Sequence, residues 1–317
     1  MVDGIDVVVS GLLFADLVFE LPEPPRPGAE VWAAGFAESP GGIANFAVAL
    51  SRLGLRTGLA AAVGDDERGA RLWAELTAEG IDLALSRKVA GWPTPLTVAL
   101  AYHGDRALVT HGSEPPLSAD QLIPTPPPAA AVAAHIGPWD NDWLAKARAA
   151  GSTVFADVGW DPTGRWDAQV LDQLEHCDVF LPNADEAMNY TRTSTPDEAL
   201  DRLARRVPLA VISCGEDGAL AIDARTGERA GVPGVPVTAV DPTGAGDVFA
   251  AGFIAATRWD LPLAERLAFA NAAAALSVTR LGGAAAAPTK ADLAAARGPG
   301  GILADGNHDF LDPLIGR

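Results

Sequence analysis

The chain has 317 residues, 49% of them apolar, and a formal net charge of −18. That length buries one large core or two modest ones. The acidic balance excludes nucleic acid and anionic membranes as partners, because no basic stripe is available to pair with phosphates.

Apolar periodicity then sets the expected elements in chain order. Val7–Leu13 reads as a first strand, and Asp3 and Asp6 ahead of it do not fit the basic start of a signal peptide. Pro22 to Glu38 is proline-rich, with Val31, Ala33 and Gly35 in an extended pattern. Ile43–Leu53 is helical, with Phe46, Leu50 and Leu53 on one face; Gly58–Val63 is a strand, and Glu67–Ala78 a helix turning Leu72, Trp73 and Leu76 inward. Thr94 to Thr110 reads as a hairpin, Pro95–Ala101 and Ala107–Thr110, turning at His103-Gly104-Asp105, and the Pro-rich Glu114–Pro128 is a surface connection.

Strand and helix alternate from there. The strands are Ala131–Ile136, Thr153–Asp157, Asp178–Leu181, Leu209–Ser213, Ala219–Ile222 and Val235–Val240. The helices are Asp142–Ala149, Asp167–His176, Pro196–Arg206, Asp247–Thr257, Leu263–Thr279 and Thr289–Ala296. Repeated alternation predicts a three-layer α/β/α domain built on a mostly parallel sheet. The segments near 16–39 and 92–112 break the rhythm as about four antiparallel strands without helices, a small β-sheet lid or an edge extension. Residues 298–317 lack periodicity and read as a loosely attached tail.

No apolar run reaches membrane-spanning length, and Cys177 and Cys214 form no metal-spaced cluster. The five histidines (His103, His111, His135, His176, His308) have no zinc-protease spacing, and none of Lys88, Lys146 and Lys290 completes a P-loop. A soluble, reduced, cytoplasmic protein is the expectation.

One stretch carries most of the chemistry. Asp241-Pro-Thr-Gly-Ala-Gly-Asp247 joins an apolar run to a small-residue helix. Such a turn leaves the amides of Gly244, Ala245 and Gly246 free at the positive end of a helix dipole, an anion site. Asp247 at its edge suits a base that deprotonates an attacking hydroxyl, so phosphoryl transfer is the first reading. A dinucleotide fingerprint competes, since Gly244-Ala245-Gly246 contains G-x-G. It fails because Phe249 stands where a small residue belongs and Asp247 would oppose a pyrophosphate.

Three further groups each have two explanations. Gly41, Gly42 and Asn45 open a helix. They either admit a polyol, with Asn45 bonding its hydroxyls, or form a plain glycine turn. Asp16 either accepts from two hydroxyls or caps a loop. Asn183-Ala-Asp-Glu186 is a capping box, and it also stands where open α/β sheets bind ligands, so Glu186 could orient hydrated Mg²⁺. Gly215 and Gly218, after Ser213, suit a turn beside a nucleotide or a hairpin, and Asn271 is either an adenine-side contact or a helix-surface residue.

Together, Gly41-Gly42-x-x-Asn45, Asn183-x-x-Glu186 and Asp241-Pro-Thr-Gly-Ala-Gly-Asp247 resemble the ribokinase-like (PfkB) carbohydrate kinases, from the first strand to Pro288. The resemblance implies an α/β core with a β-sheet lid, ATP and Mg²⁺ as cosubstrates, and transfer of the γ-phosphate to a sugar hydroxyl. By matching positions, Asp247 is the implied base and the Gly244–Gly246 amides the anion hole. Asp16, Gly41, Gly42 and Asn45 are the implied sugar contacts. Asn183 and Glu186 fall in the Mg-phosphate region, and Ser213, Gly215, Gly218 and Asn271 around the nucleotide. Asp241 and Thr243 fall where several relatives bind a monovalent cation, usually K⁺, and lid strands of two subunits often form a homodimer.

This chain departs from the pattern in two places. The Gly-Gly to Asn spacing is one residue shorter, with Pro40 beside the pair, and Gly137-Pro138-Trp139 follows a strand where some relatives place Glu. Asp157 and Trp160 are candidates to shape the pocket instead. The acceptor stays open: a sugar, a nucleoside, or a sugar phosphate or acid that would need Arg26, Arg106 or Arg165. A non-catalytic sugar-binding protein of the same fold is the further alternative.

Overall fold

The computed structural model describes residues 4–304 and 311. From the N-terminus, β1 (Val7–Ser10) opens a main sheet, and β2 (Leu13–Glu20) and β3 (Gly35–Gly42) leave it to begin a smaller one. β4 (Thr57–Ala60) returns to the main sheet, and β5 (Ala62–Gly64) and β6 (Arg87–Val89) pair in parallel as a short ribbon. β7 (Leu96–Tyr102) and β8 (Asp105–His111) complete the smaller sheet. The main sheet is finished by β9 (Ala131–Ile136), β10 (Thr153–Val158), β11 (Val179–Phe180), β12 (Leu209–Ser213), β13 (Ala219–Asp223) and β14 (Glu228–Val232).

The eight-stranded sheet runs β14-β13-β12-β11-β10-β9-β1-β4. Pairs from β4 to β12 are parallel, and β13 and β14 are antiparallel additions. Alternation along β1 explains the layers. Val7 and Val9 enter one core with Phe46, Phe253 and Phe269, while Val8 enters the other with Trp143, Phe180 and Leu200. A strand buried on both faces reads as a continuous apolar run, as β1 does. Helices Ile43–Arg52, Ala245–Arg258 and Leu263–Ser277 cover the first face. Asp142–Ala149, Ala184–Thr191 and Pro196–Leu203 cover the second, together with a 3₁₀ segment, Ala168–His176, where a helix was expected.

Several sequence boundaries shift. The first expected strand is broken at Gly11 and Leu12, so β1 stays in the main sheet and β2 turns into the small one. The expected strand Gly58–Val63 divides likewise into β4 and β5. Val235–Val240 is not a strand, although its apolar pattern suggested one; β14 precedes it and the run itself is irregular. The anticipated tail is partly docked: Leu303 and Leu311 are buried in the first core, and the remainder beyond Ala304 lies outside the described residues.

The small sheet, ordered β3-β2-β7-β8, was expected to be antiparallel throughout, but β2 and β7 pair in parallel. Its β7–β8 hairpin turns at His103 and Gly104, both with positive φ, as a two-residue turn of matching twist demands. The tip reaches the region before Asp241: a Cβ on Gly104 would lie 3.8 Å from the Ala239 carbonyl.

Close helix packing sets a testable limit. A Cβ at Gly252 would lie 3.0 Å from the Ala270 Cα, across the contact of helices Ala245–Arg258 and Leu263–Ser277. Gly252→Val should therefore destabilise the fold by about 1–3 kcal/mol through overpacking, read as a lowered thermal midpoint. An unchanged midpoint would mean that this helix pair has room to separate.

Candidate active site

Gly244 adopts the left-handed conformation (φ 73°) and starts helix Ala245–Arg258, which places Asp247 in the first turn. The turn is fixed by Asp241, which is buried and accepts from the amides of Thr243 (2.9 Å) and Gly282 (2.9 Å). The set of free amides differs from the one the sequence suggested. The Ala245 amide donates to the Pro242 carbonyl (3.2 Å), whereas among the described residues the amides of Gly244, Gly246 and Asp247 have no backbone acceptor. Unpaired donors at a helix N-terminus suit an oxyanion.

Asp247 is held from two sides. Asn45 Nδ2 donates to Oδ2 at 2.9 Å, and His135 Nε2 lies 3.0 Å from Oδ1. Residues 45 and 247 are thus brought into direct contact, and Asp16 is close enough for Asp247 to act on its charge. Asp16 is not on a loop, as a capping role required, but inside β2, where Ser39 of β3 is its register partner. Gly41 and Gly42 each have a structural reason as well: a Cβ on Gly41 would collide with the Asp16 carboxyl, and one on Gly42 with the Leu12 carbonyl. Asp16 Oδ1, Ser39 Oγ and Asn45 Oδ1 are buried with no hydrogen-bond partner. Unpaired buried polar atoms are costly, and hydroxyls of a bound polyol would satisfy them.

The residues expected on the nucleotide side gather at the ends of neighbouring strands. Asn183, beyond β11, bridges to Ser213 at the end of β12, and the capping box is present, Asn183 accepting from the Glu186 amide (2.9 Å) and Glu186 from the Asn183 amide (3.1 Å). Gly215 (φ 56°) is exposed on the following turn. Gly218 has a structural reason, since its Cβ would lie 2.0 Å from the Val232 carbonyl. Asn271 is buried, not on a helix surface, and its amide donates to the Pro233 carbonyl (3.1 Å), fixing the irregular segment that leads to Asp241. Thr243 Oγ1 is buried and unpaired, beside an Asp241 already bonded through both oxygens.

Electrostatically the site is crowded with carboxyls. His135, Asp157 and Asp247 bring polar atoms within 4.8 Å of one another. Burial, then the charges of Asp247 and Asp241, pushes Asp16 up to about 7, against a hydrogen bond from Thr97. Burial likewise raises Glu186 to about 7, opposed by the Asn183 amide and His135. Asp157 is raised by burial and by Glu186. Burial disfavours the His135 imidazolium, yet its bond to Asp247 and the charges of Asp247, Asp157 and Glu186 prevail and lift it to about 9. Repelling carboxyls of this kind fit a divalent cation, which would offset their charge. Trp160 takes no part in this cluster; it is largely exposed and meets Trp166 edge to face.

The pfkB family carbohydrate kinase model matches residues 5–290. The chain belongs to that family. It is therefore a phosphotransferase with an alcohol group as acceptor. It is 30% identical to an ATP-dependent ribose-1-phosphate kinase of Halopiger xanaduensis, over 92% of this chain and 97% of the relative. It is 32% identical to a fructokinase of Klebsiella pneumoniae, over 81% and 91%. In three dimensions it resembles an E. coli protein assigned as ribokinase II and solved with ATP and Mg²⁺, with TM-score 0.78, 22% identity and coverage of 92% and 98%, which establishes the shared ribokinase-like fold.

For this kinase, His135 is the residue that sequence reasoning missed. It sits within β9, and no local motif marks it. Its contribution to stability has a definite sign. A group whose pKa is raised on folding stabilises the fold below its unfolded value, and the effect is lost as pH rises through the folded value. For Asp16 that window runs from 3.8 to about 7, and for His135 from 6.5 to about 9. The ligand-free protein should thus lose stability from the site as pH rises between these limits. Asp16→Asn should flatten the lower part of the melting-temperature profile, and His135→Gln the upper part. Calorimetry of the three proteins from pH 5 to 9 checks this, and unaltered slopes would contradict it.

Proposed function

We propose that this kinase transfers the γ-phosphate of ATP to a hydroxyl of a small, uncharged carbohydrate, with Asp247 as general base. The observation that carries the reading is the juxtaposition of Asp247 with Asn45, next to a turn with unpaired amides and the unpaired Asp16 Oδ1 and Ser39 Oγ. Asp16, Gly41, Gly42 and Asn45 form the acceptor side; Asn183, Glu186, Ser213, Gly215 and Gly218 form the nucleotide side, with Asn271 shaping it. When bound, Mg²⁺ and ATP supply the phosphoryl group and neutralise its charge. Asp241 and Thr243 are the proposed monovalent-cation position, taken by K⁺.

The chain's own groups supply the remainder. The acceptor hydroxyl enters beside Asn45 and donates to a free lone pair of Asp247. Asp247 accepts its proton as the oxygen attacks, while His135 and Asn45 hold the carboxylate in place. The amides of Gly244 and Gly246 stabilise charge on the transferring group. The small sheet, 16–39 and 92–112, acts as a lid that excludes water from a single catalytic domain, limiting ATP hydrolysis.

An anionic acceptor is less well supported. Arg26 pairs with Glu23 at the surface, exposed Arg165 bonds to Thr163, and Arg106 lies on β8. A non-catalytic sugar binder would not require the Asp247 contacts that this chain keeps. Removing the base distinguishes the readings: Asp247→Asn should lower turnover about a hundredfold or more with little change in the KM for ATP. ADP release measured over a panel of sugars and nucleosides provides the test, and near-wild-type turnover would remove Asp247 from this role.

Among the described residues no helix is long and apolar enough to cross a membrane. The reading places the enzyme in the cytoplasm, as a homodimer. Phe36 and Val109 are exposed apolar residues on the same face of the small sheet, on β3 and β8, at 54% and 63% of their surface. They suit the lid of a second copy. Val109→Glu should convert a dimer into a monomer in light scattering, and an unaltered mass would exclude this face.

A further inference from the structure

Asp16 stands in a row of polar residues that crosses the small sheet. Its register partners are Ser39 on β3 and Thr97 on β7, and the partner of Thr97 on β8 is Thr110. Register partners project from the same face, so each of the four strands contributes one polar side chain to the row. The next row on that face is Ala37, Val18, Ala99 and Leu108, all apolar. Asp16, Ser39 and Thr97 are buried, so the row is not a solvated surface and its hydrogen bonds need an account.

Their direction follows from counting donors. Thr97 Oγ1 lies 3.1 Å from Thr110 Oγ1 and is also bonded to the Asp16 carboxyl. A hydroxyl carries one proton, and an ionised carboxylate only accepts. Thr97 therefore donates to Asp16, and Thr110 donates to Thr97. Asp16 Oδ1 has no partner, which leaves Oδ2 as the oxygen held. Among the described residues the charged groups acting on this carboxyl are Asp247, from the first turn of helix Ala245–Arg258, and Asp241, from the turn before it. Both oppose its ionisation, and its β3 partner Ser39 is neutral; the Thr97 hydroxyl is the group that favours the charged form. A Thr–Thr pair can also serve the sheet alone, as β-branched cross-strand pairs do. That service would survive replacement of Thr97 by Val, which fits a strand equally well.

Resting on the assignment of Asp16 to the acceptor side, we propose that Thr97 is a positioning residue for acceptor recognition: its hydroxyl, backed by Thr110, holds one oxygen of the Asp16 carboxylate and leaves the other free to accept from an acceptor hydroxyl. Thr97 acts through Asp16 and needs no contact of its own with the acceptor.

Full-length Thr97→Val and Thr97→Ser proteins are compared with the wild type, with ribose, fructose and adenosine as probe acceptors. In ADP release at pH 7, Thr97→Val should lower kcat/KM for the acceptor about tenfold or more and leave the KM for ATP within about twofold. Thr97→Ser keeps the hydroxyl and should recover most of the loss. Without the Thr97 bond Asp16 is harder to ionise, so the deficit of Thr97→Val should narrow as pH rises from 6 to 9. Other titrations of the site are common to both proteins and cancel in the ratio of variant to wild type. A carbon-13 NMR titration of Asp16 in the ligand-free protein, assigned with Asp16→Asn, should show its midpoint displaced to higher pH by Thr97→Val and not by Thr97→Ser. Should Thr97→Val not fold, Thr97→Ala carries the same comparison. An unmoved midpoint, an acceptor kcat/KM equal to that of the wild type, or a deficit that is the same at every pH and is not restored by Ser would overturn the positioning role and leave the kinase standing. Absence of ADP release from every probe by the wild type would count against the kinase reading instead, because the titration reads the contact of Thr97 with Asp16 without turnover.

Discussion

The burial of several carboxyl groups around one imidazole is the constraint on which the site depends. Asp16, Asp157, Glu186 and Asp241 are all nearly inaccessible, and Asp247 lies among them. A buried carboxylate is tolerated only when something offsets its charge. Here the offsets differ from one residue to the next. Asp241 is satisfied by two backbone amides, Asp247 by Asn45 and His135, and Glu186 in part by its own helix cap. Asp16 and Asp157 are offset least, and both resist ionisation. These offsets are what the proposed ligands, hydroxyls at one end and a charge-compensated phosphate at the other, would complete.

The fold delivers these groups from far apart in the chain to the same end of one sheet. Asp157 belongs to β10, Asn183 follows β11, Ser213 ends β12, and His135 is near the end of β9. Parallel strands bring their carboxyl ends to one side, where helix N-termini also collect. Asp247 and Glu186 enter from such termini, one after a left-handed glycine and the other through a capping box. The small sheet adds what the main sheet lacks, a second wall carrying Asp16 and Ser39.

Local signals made much of this legible. The helices Ile43–Arg52, Glu67–Ala78 and Asp142–Ala149 follow apolar spacing, and β9 and β12 are short apolar runs bounded by breakers. The Asp241–Asp247 turn is also local, since a glycine turn and its helix lie within seven residues. What escaped is non-local. His135 acquires its role from a partner 112 residues away, and Ser39 from its register with Asp16. The parallel pairing of β2 with β7 depends on how two distant segments align, which alternation does not reveal. Val235–Val240 misled because its apolar residues serve a connection beside Asn271 and the Asp241 turn, not a ladder.

β2 follows β1 after only two residues, yet the two strands belong to different sheets. Asp16 therefore rides on one sheet and Asn45 with Asp247 on the other, and an acceptor bound as proposed to all three would tie the two together. A molecule engaging only one side would leave the tie slack. Misfit at a single hydroxyl would then be felt as imperfect alignment of the reacting oxygen as well as weaker grip, so that tightness of hold and speed of transfer decline in step.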